Sequence, residues 1–449
     1  MFSQDKKIAL ISPKRTLWSK NEAIKGFFDQ KKDFLRPWYS PPLGLMTIAA
    51  ATPNEYKIDF IDEDFQPIDF SQEYDIVGIS AMTQQVLRAY EIADEFRAWG
   101  KTVVMGGIHA TVLPDEALTH VDSVIIGEGE KLWRDFLEDF SNGTIKQKYE
   151  NSSGNSISLD NSPVPRYDLV KPEYLKKNNN FFNMIPIQAT RGCPHDCSFC
   201  LVSKIYGKRI RKKSIRRILQ ELTKIKTLFG NQLILFADDN LFVDKEFAKA
   251  LLREILPMRI NWVGQSDISI INDPELLQLA YLSGCLMLLV GFESLNRNSL
   301  GSINANQWKM KQVEKYNEAV RIIQQNGIIV HASFVIGFDN DDYSTFEDIK
   351  NFTIQNKCAG QFTVLTPIPG SKLYHDLQSQ GRLFNDVFWD KCNFFDVVFK
   401  LNKMTKEEME NGLIQLYNDV FNSKAFLTRA EYMKNIFKKL PPRWIVSCK

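Results

Sequence analysis

The chain has 449 residues and a formal net charge of +2, with 44% hydrophobic and 24% charged residues. This length is about three times the roughly 150 residues typical of one domain, so two or three domains with complete cores are expected. The composition excludes collagen, disulfide-rich scaffolds and intrinsic disorder, and the near-neutral charge argues against a chain built as a whole to attract nucleic acid or anionic membranes.

The amino-terminal residues lead directly into a predicted strand, without an apolar signal sequence or a small-residue cleavage site. The longest apolar runs, such as 286–290 and 332–338, are far shorter than the roughly 18 residues that cross a bilayer. We therefore predict a cytoplasmic protein without a transmembrane segment.

The first 140 residues alternate short apolar runs with helical patterns, which is typical of βαβ units and a parallel sheet. Helical spacing predicts helices over 43–51 and 87–99, and Gly100 ends the second one. The predicted strands are Lys7–Ile11, Lys57–Ile61, Asp75–Ser80, Thr102–Met105 and Ser123–Ile126. We predict an open, Rossmann-like (flavodoxin-like) α/β domain over 1–140.

The composition changes at residue 141, and the Ser/Asn/Pro-rich stretch 141–183 is typical of a linker. Strand and helix patterns resume over 184–380, where helices are predicted at 214–229, 245–256 and 311–325. The predicted strands are Met184–Thr190, Gln232–Ala237, Asn261–Gln265, Leu286–Phe292, Ile328–Ile336 and Gln361–Thr366. Six such units favour a partial (β/α)6 TIM barrel with its active site at the carboxyl ends of the strands. We expect residues 381–449 to form a helical lobe.

Seven cysteines in a long intracellular chain favour reduced thiols, metal ligands or catalysis over a disulfide framework. Four are isolated, whereas Cys193, Cys197 and Cys200 have CxxxCxxC spacing in a loop after a predicted strand. Three thiolates can hold three irons of a four-iron cluster and leave the fourth iron open to a substrate. Structural zinc is the alternative, but it normally takes four ligands, and His195 is cramped between two of the cysteines.

The segment Arg191-Gly-Cys-Pro-His-Asp-Cys-Ser-Phe-Cys200 resembles that of the radical S-adenosylmethionine enzymes, which carry CxxxCx(aromatic)C after the first strand of a partial barrel. Phe199 fills the aromatic position. The resemblance implies that Cys193, Cys197 and Cys200 are the catalytic cysteines and the ligands of a [4Fe-4S] cluster. It also implies that S-adenosylmethionine chelates the open iron and is cleaved to a 5'-deoxyadenosyl radical, which abstracts hydrogen from a substrate.

Polar residues at later strand ends match the same family in order. The pair Asp238 and Asp239 resembles the family's aspartate-bearing variant, whose loop lies beside the methionine moiety. The resemblance implies further cofactor contacts through Phe199, Gln265, Ser266, Glu293 and Ile336. Each match alone is weak, because carboxylates at strand ends also form loop hydrogen bonds and helix caps. A segment after the sixth strand, 367–371, also resembles a family loop.

Glycines follow the fourth and fifth predicted strands of the first domain, where a backbone can approach a ligand closely. The GxGxxG fingerprint of dinucleotide sites is absent. This half resembles the cobalamin-binding domain that precedes the barrel in one radical S-adenosylmethionine subgroup, and the carboxyl-terminal lobe is similar to that of the hopanoid C-2 methylase branch. The implied cobalamin contacts are Ser80, Met82, Thr83, Gly106, Gly107, His109, Gly127 and Glu128.

Two alternatives stay open in this domain. The DxHxxG signature that supplies a histidine to cobalt in cobalamin mutases is missing, as it commonly is in this subgroup. His109 is predicted to contact the corrin, yet a lone histidine is as often a local hydrogen-bonding residue. The domain could also be vestigial or repurposed.

A cluster of cations follows the cysteine loop at 204–217, which we call the basic segment: Lys204, Lys208, Arg209, Arg211, Lys212, Lys213, Arg216 and Arg217. Phosphate neutralisation would allow nucleic-acid binding. The segment has no aromatic residue besides Tyr206, so a solvated face or an anion-contacting flap is favoured instead.

The resemblance implies a cobalamin-dependent radical S-adenosylmethionine methyltransferase that acts on an unactivated carbon. Such an enzyme uses one S-adenosylmethionine to methylate cobalt(I) and cleaves a second to create the substrate radical. The alternatives are a radical enzyme that catalyses a cyclisation or rearrangement, and a non-catalytic iron-sulfur or zinc protein. We expect a small-molecule substrate and a reductant protein such as flavodoxin or ferredoxin. Aromatic residues in the carboxyl-terminal lobe would suit an apolar substrate or simply pack its helices.

Overall fold

The computed structural model describes residues 6–16, 19–31, 38–151, 158–175, 182–304 and 306–441. Parts of the predicted linker, 152–157 and 176–181, lie outside these ranges, as does Cys448.

Six parallel strands form the amino-terminal sheet in the order β2-β1-β3-β4-β5-β6. The strands are β1 (Lys7–Ser12), β2 (Lys57–Asp62), β3 (Ile76–Ser80), β4 (Thr102–Gly106), β5 (Ser123–Ile126) and β6 (Lys148–Glu150). The central strands consist of apolar runs such as 8–11, which are fully buried because helices cover both faces of a parallel sheet. The order of the first five strands is the flavodoxin-like one, which confirms the predicted fold class.

The helices of this half are α1 (Glu22–Gln30), α2 (Leu43–Ala51), α3 (Val86–Ala98), α4 (Ile108–Val112), α5 (Pro114–Ala117) and α6 (Gly129–Asn142). Helix α2 has the predicted bounds, and α3 differs from its prediction by one residue at each end. Gly100 follows α3 with φ +71°, a left-handed conformation that favours glycine.

Strand β6 lies inside the stretch that was predicted to be a linker. Tyr149 is buried, whereas its neighbours Lys148 and Glu150 are exposed, as is typical of a strand with one covered face. All three residues pair with β5. The sequence pattern did not predict this strand, because it has only three residues and the sequence around it is rich in Ser and Asn.

Six further parallel strands pair in consecutive order, as a partial barrel requires. They are β7 (Ile185–Ile187), β8 (Ile234–Phe236), β9 (Trp262–Ser266), β10 (Cys285–Glu293), β11 (Ile329–Ile336) and β12 (Ala359–Val364). The helices beside them are α7 (Val202–Tyr206), α8 (Ile215–Phe229), α9 (Lys245–Ile255), α10 (Pro274–Leu282), α11 (Arg297–Ile303), α12 (Trp308–Gln312), α13 (Tyr316–Gln325), α14 (Ser344–Gln355) and α15 (Lys372–Ser379).

The carboxyl-terminal part contains α16 (Lys406–Val420) and α17 (Ser423–Phe437). Its contacts reach back to the start of the chain, because the Phe28 ring packs edge-on against Tyr417 at 5.0 Å and Ser19 Oγ donates to Asp396. Among the described helices, none combines the length and the apolar composition needed to cross a membrane.

Candidate active site

The cysteine loop lies beyond the carboxyl end of β7 and is fixed by backbone hydrogen bonds on two sides. Ser198 donates its N–H to Ile303 of α11 at 2.8 Å and accepts from the N–H of Leu373 at 2.8 Å. Gly192 begins the loop with φ +102°, and a Cβ there would come within 2.5 Å of the Arg209 carbonyl oxygen. Only glycine fits this close approach, so the basic segment packs directly on the loop.

The three loop cysteines are half-buried free thiols. Burial raises the pKa of Cys197 to about 12 and that of Cys200 to about 11. Bound iron reverses this effect, because a coordinating thiol is deprotonated outright. Among the described residues, no three Cys, His, Asp or Glu side chains converge around a single ion. The donor set fits a cluster, in which each thiolate binds its own iron, better than it fits a tetrahedral zinc.

Asp238, one of the predicted cofactor contacts, anchors the start of the cysteine loop. Its buried carboxylate accepts from the N–H groups of Ala189 and Thr190, at 3.1 and 2.5 Å, and from Thr190 Oγ1 at 2.7 Å. These bonds divert the chain from β7, which is why this strand ends at Ile187 instead of Thr190. Asp238 therefore anchors the start of the cysteine loop mainly through Oδ1, whereas Oδ2 accepts from the Ala189 N–H at 3.2 Å. The cofactor contact of Asp238 stays a prediction.

Asp239 is the carboxylate that remains available. Its Oδ2 is buried with no hydrogen-bond partner. Burial, and then the charge of Asp238, raise the pKa of Asp239 to about 6. The charge of Asp239 contributes in turn to the raised pKa of Cys193 and Cys200, so this carboxylate lies near both sulfurs. A cationic group placed beside the cysteines would satisfy it.

His195, inside the cysteine loop, is tied to the end of β9. Its Nε2 lies 2.9 Å from Asp267 Oδ2, which also accepts from Asn240 Nδ2 at 2.7 Å. Burial alone would raise the pKa of Asp267, but these hydrogen bonds, with those from Ser269, lower it to about 2. His195 therefore holds the cysteine loop against the end of β9. The sequence did not predict this role, because Asp267 lies 72 residues away along the chain.

Glu293 is paired with a lysine that the sequence analysis missed. Lys309 of α12 donates from Nζ to Glu293 Oε1 at 2.9 Å and to the Gly291 carbonyl oxygen at 2.6 Å. Glu293 also has the left-handed φ of +66°, an uncommon conformation for a residue with a side chain. A buried lysine at the end of β10 could be recognised only from the tertiary contact.

Of the other predicted barrel contacts, Gln265, Ser266 and Ile336 lie at the ends of β9 and β11, and Phe199 lies in the cysteine loop. Gln265 is half-buried, whereas Ile336 is fully buried. Ser266 is buried too, and its hydroxyl donates to the Asp267 carbonyl oxygen at 2.7 Å. The Phe199 ring lies 6.1 Å from that of Phe338. A cavity of about 810 Å³ borders Cys197, Cys200 and Phe338 and includes none of Gln265, Ser266, Glu293 and Ile336.

A second cavity, of about 150 Å³, opens at the carboxyl edge of the amino-terminal sheet. We call it the sheet-edge cavity. The predicted residues that line it are Ser80, Gly106, Gly107, Gly127 and Glu128. Apolar walls come from Leu10, Ile48 and Trp133, and one side is formed by Arg191 and Tyr206. The cavity therefore joins the glycine-rich edge to residues that flank the cysteines.

Three predicted cobalamin contacts do not line this cavity. Met82 is exposed beyond the end of β3, and Thr83 is buried. His109 is fully buried, with Nε2 3.1 Å from Glu116 Oε1 and its ring edge-on to Trp389 at 5.7 Å. His109 thus joins the sheet to the carboxyl-terminal lobe, and its contact with the corrin stays a prediction.

An ion-pair cluster connects the two halves of the site. Arg191 donates to Glu128 at 2.8 Å and to Glu130 at 2.7 Å, and Arg211 donates to both oxygens of Glu128 at 2.8 Å. These side chains are nearly buried. Glu128 was predicted as a cofactor contact, and it also holds the cysteine loop against the sheet-edge cavity.

Comparisons with known proteins agree with this architecture. Residues 37–137 match the B12 binding domain family, and residues 187–353 match the radical SAM superfamily. The chain is 31% identical to bacteriochlorophyllide d C-12(1)-methyltransferase of Chlorobaculum tepidum over 87% of this chain and 85% of that protein. It is 26% identical to hopanoid C-2 methylase of Rhodopseudomonas palustris over 78% and 66% of the two chains.

The fold also resembles a solved structure, that of the radical S-adenosylmethionine methyltransferase TsrM from Kitasatospora setae with cobalamin and [4Fe-4S] cluster bound. The TM-score is 0.70 at 15% identity, over 97% of this chain and 100% of the other. At this identity the likeness shows the fold. Together with the two domain matches, the 31% identical relative shows that this chain belongs to the cobalamin-binding radical S-adenosylmethionine methyltransferase family.

Proposed function

We propose that this chain methylates an unactivated carbon of a small-molecule substrate, using cobalamin and a radical derived from S-adenosylmethionine. One observation carries the proposal: the sheet-edge cavity is lined on one side by Gly106, Gly107 and Gly127 and on the other by Arg191 and Tyr206, which flank the cysteine loop. A ligand held at the sheet edge is therefore a neighbour of the cluster loop, as two cofactors acting on one substrate require.

We assign Cys193, Cys197 and Cys200 as the ligands of three irons of the cluster. When bound, the cluster supplies the electron that cleaves S-adenosylmethionine. The unpartnered oxygen of Asp239 suits the cationic amino group of S-adenosylmethionine, because a carboxylate buried beside the cysteines gains a charge-assisted hydrogen bond there. Gln265 and Ile336 stay predicted contacts of the ribose and adenine.

The sheet-edge cavity is assigned to cobalamin, which when bound carries the methyl group. At two glycines that line this cavity, a side chain would collide with neighbouring atoms. Gly107 has φ +96°, and a Cβ there would lie 2.7 Å from the Ala81 carbonyl oxygen. A Cβ on Gly78 would lie 2.9 Å from a methyl carbon of Leu10, which lines the same cavity. Side chains at these positions would displace the cavity walls.

We propose that the amino-terminal domain extends past the predicted limit of 140 to the end of β6 at Glu150, that the barrel covers 184–380, and that the substrate is apolar and ring-bearing. The substrate class is supported by the substrates in the names of two relatives, bacteriochlorophyllide d and a hopanoid. Phe338 and Phe399, which border the larger cavity beside the cysteines, are compatible with it. The reductant is proposed to be a one-electron carrier protein such as flavodoxin or ferredoxin.

The test begins with anaerobic purification from cobalamin-supplied cells and quantification of iron, sulfide and cobalt. We expect about four irons per chain, as one cluster requires, and about one cobalt. No cobalt after reconstitution with excess cobalamin would make the amino-terminal domain a substrate or partner module. An intact reduced cluster that leaves S-adenosylmethionine uncleaved would instead indicate a binding protein.

Methyl transfer is then tested with S-adenosylmethionine that carries a deuterated methyl group and with bacteriochlorophyllide d as the probe. A product heavier by one deuterated methyl group supports the proposal and the substrate class. Formation of 5'-deoxyadenosine with a product of altered structure and no added methyl group would favour cyclisation or rearrangement. If S-adenosylmethionine is still cleaved but bacteriochlorophyllide d is recovered unaltered, the proposal of a ring-bearing substrate would be wrong.

A further inference from the structure

We propose that the exposed face of the basic segment (204–217) docks an acidic one-electron carrier protein of the flavodoxin class. The inference rests on the proposed function, because only a cluster that must be reduced needs such a partner. The proposal also gives a role to the exposed cations of the basic segment. Neither the cysteine loop nor the sheet-edge cavity explains why these side chains are positively charged.

The basic segment is the surface that lies over the cysteine loop. The N–H of Cys193 donates to the Gly207 carbonyl oxygen at 3.3 Å, and the Arg209 carbonyl oxygen closes on Gly192. Electron transfer between proteins slows steeply with distance. A carrier seated on this surface would therefore approach the cluster through one thin layer of backbone.

The inward-facing cations of the segment are already paired. Arg211 binds Glu128, and Lys213 Nζ donates to both oxygens of buried Glu221 at 2.8 and 2.9 Å. These residues hold the segment in place, so they are unavailable to a partner. The buried part of the motif is structural.

The outward-facing cations have a surplus of positive charge. Arg209 and Arg216 are exposed and form no ion pair with any described residue. Lys204 is exposed and donates only to the Gly370 carbonyl oxygen at 3.0 Å. Two more exposed lysines each pair with one carboxylate: Lys208 with Asp196 at 2.6 Å, and Lys212 with Asp244 at 2.5 Å. With Asp160, which accepts from the Ser214 N–H at 2.6 Å, five exposed cations of the segment therefore face three carboxylates among the described residues.

The surface favours an acidic protein over a nucleic acid. Single-stranded nucleic acids are held by exposed aromatic rings as well as by charge. Tyr206 is the one aromatic residue of the segment, and its ring is covered by the Arg191 guanidinium, 5.7 Å from the ring centroid. Charge without stacking is what electrostatic steering of an acidic protein partner needs.

The electron transfer that we propose involves two partners, the reduced carrier and the cluster. The reduced carrier gives up one electron and is itself oxidised by one electron, and the cluster is reduced by that electron. No proton or bond needs to move at the surface.

The experiment uses the holoenzyme and reduced flavodoxin, an acidic carrier, in anaerobic stopped flow at low and high salt. For the double variant R209E/R216E we expect the second-order rate of cluster reduction to fall at least tenfold at low salt. The salt dependence should largely disappear in this variant. Binding of oxidised flavodoxin, measured by calorimetry, should weaken in parallel. The conservative variant R209K/R216K should keep both properties.

Two controls separate the outcomes. Reduction by dithionite should be the same in every variant, and if dithionite fails to reduce the wild-type cluster, the proposed function fails before the docking surface is tested. The variant K424E/K434E reverses two exposed cations on α17, which packs near Ile329 at the opposite end of the barrel. Equal flavodoxin rates in R209E/R216E, K424E/K434E and wild type would overturn the proposal. Competition by RNA but not by flavodoxin would assign the surface to a nucleic acid.

Discussion

Arg191 Nη1 donates a hydrogen bond to Glu128 Oε1 at 2.8 Å, which joins the residue two positions before the first cysteine to the edge of the amino-terminal sheet. Glu128 accepts from Arg211 as well, so one carboxylate serves two guanidinium groups. The pairs are nearly buried, and such pairs depend on every partner being present.

We expect Glu128→Gln to lower the free energy of unfolding by about 3 kcal/mol, because the nearly buried Arg211 and Arg191 both lose the charge of Glu128, although Arg191 keeps that of Glu130. Cobalamin affinity should fall as well, since Glu128 lines the sheet-edge cavity. Chemical denaturation and cobalamin titration measure the two effects. The control is Asp135→Asn, which breaks an exposed pair with Lys131 on α6 and should cost less than about 0.5 kcal/mol. Equal costs in the two variants would contradict the prediction.

Asp239→Asn should stabilise the apoprotein at neutral pH and weaken S-adenosylmethionine binding. Burial raises the pKa of Asp239 from 3.8 to about 6, so the folded protein holds this proton more tightly than the unfolded chain. Stability is therefore lost as pH rises from about 4 to about 6, by about 2 kcal/mol for a partly buried group. The asparagine variant avoids this loss.

Denaturation of the apoprotein at several pH values tests this expectation. The variant and the wild type should be equally stable below about pH 4, where both states of the wild type are protonated, and should differ above about pH 6. Asp348→Asn, an exposed change on α14, should show no such pH dependence. A stability gain with S-adenosylmethionine affinity unchanged would remove Asp239 from the proposed site.

Cys197→Ala should lower the iron content and abolish S-adenosylmethionine cleavage, because a cluster bound by three thiolates loses one of them. Cys358→Ala is the matched control, since Cys358 is a buried free thiol whose Sγ lies 3.8 Å from the Thr353 carbonyl oxygen. It should keep the full iron content. Retained cleavage with a complete cluster in Cys197→Ala would refute the assignment.

His109→Phe should leave the electron paramagnetic resonance spectrum of bound cobalt(II) unchanged, because the His109 ring does not line the sheet-edge cavity. Stability should fall by about 1–3 kcal/mol, since Glu116 loses one of its buried partners. Tyr90→Phe, which removes another donor to Glu116, should have the same spectrum. Loss of a nitrogen splitting in His109→Phe alone would contradict the placement of His109 outside the cobalt site.

Local sequence was sufficient for much of the fold. The apolar run at 8–11 and the helical spacing at 43–51 predicted their elements closely, because period and burial are encoded within each segment. The spacing of Cys193, Cys197 and Cys200 likewise predicted the chemistry of one loop, since neighbouring residues of a loop stay neighbours in the fold.

Partners distant in sequence were decided by the tertiary structure. The order of residues along the chain already placed a carboxylate after β8, a glutamate after β5 and cations after the cysteines. Only the fold showed which partners these carboxylates have. Asp238 accepts hydrogen bonds from Thr190, and Glu128 forms ion pairs with Arg191 and Arg211. Glu293 forms an ion pair with Lys309. The physical reason is that a charged side chain takes its role from whatever lies within hydrogen-bond distance, and packing sets those neighbours across many residues of sequence.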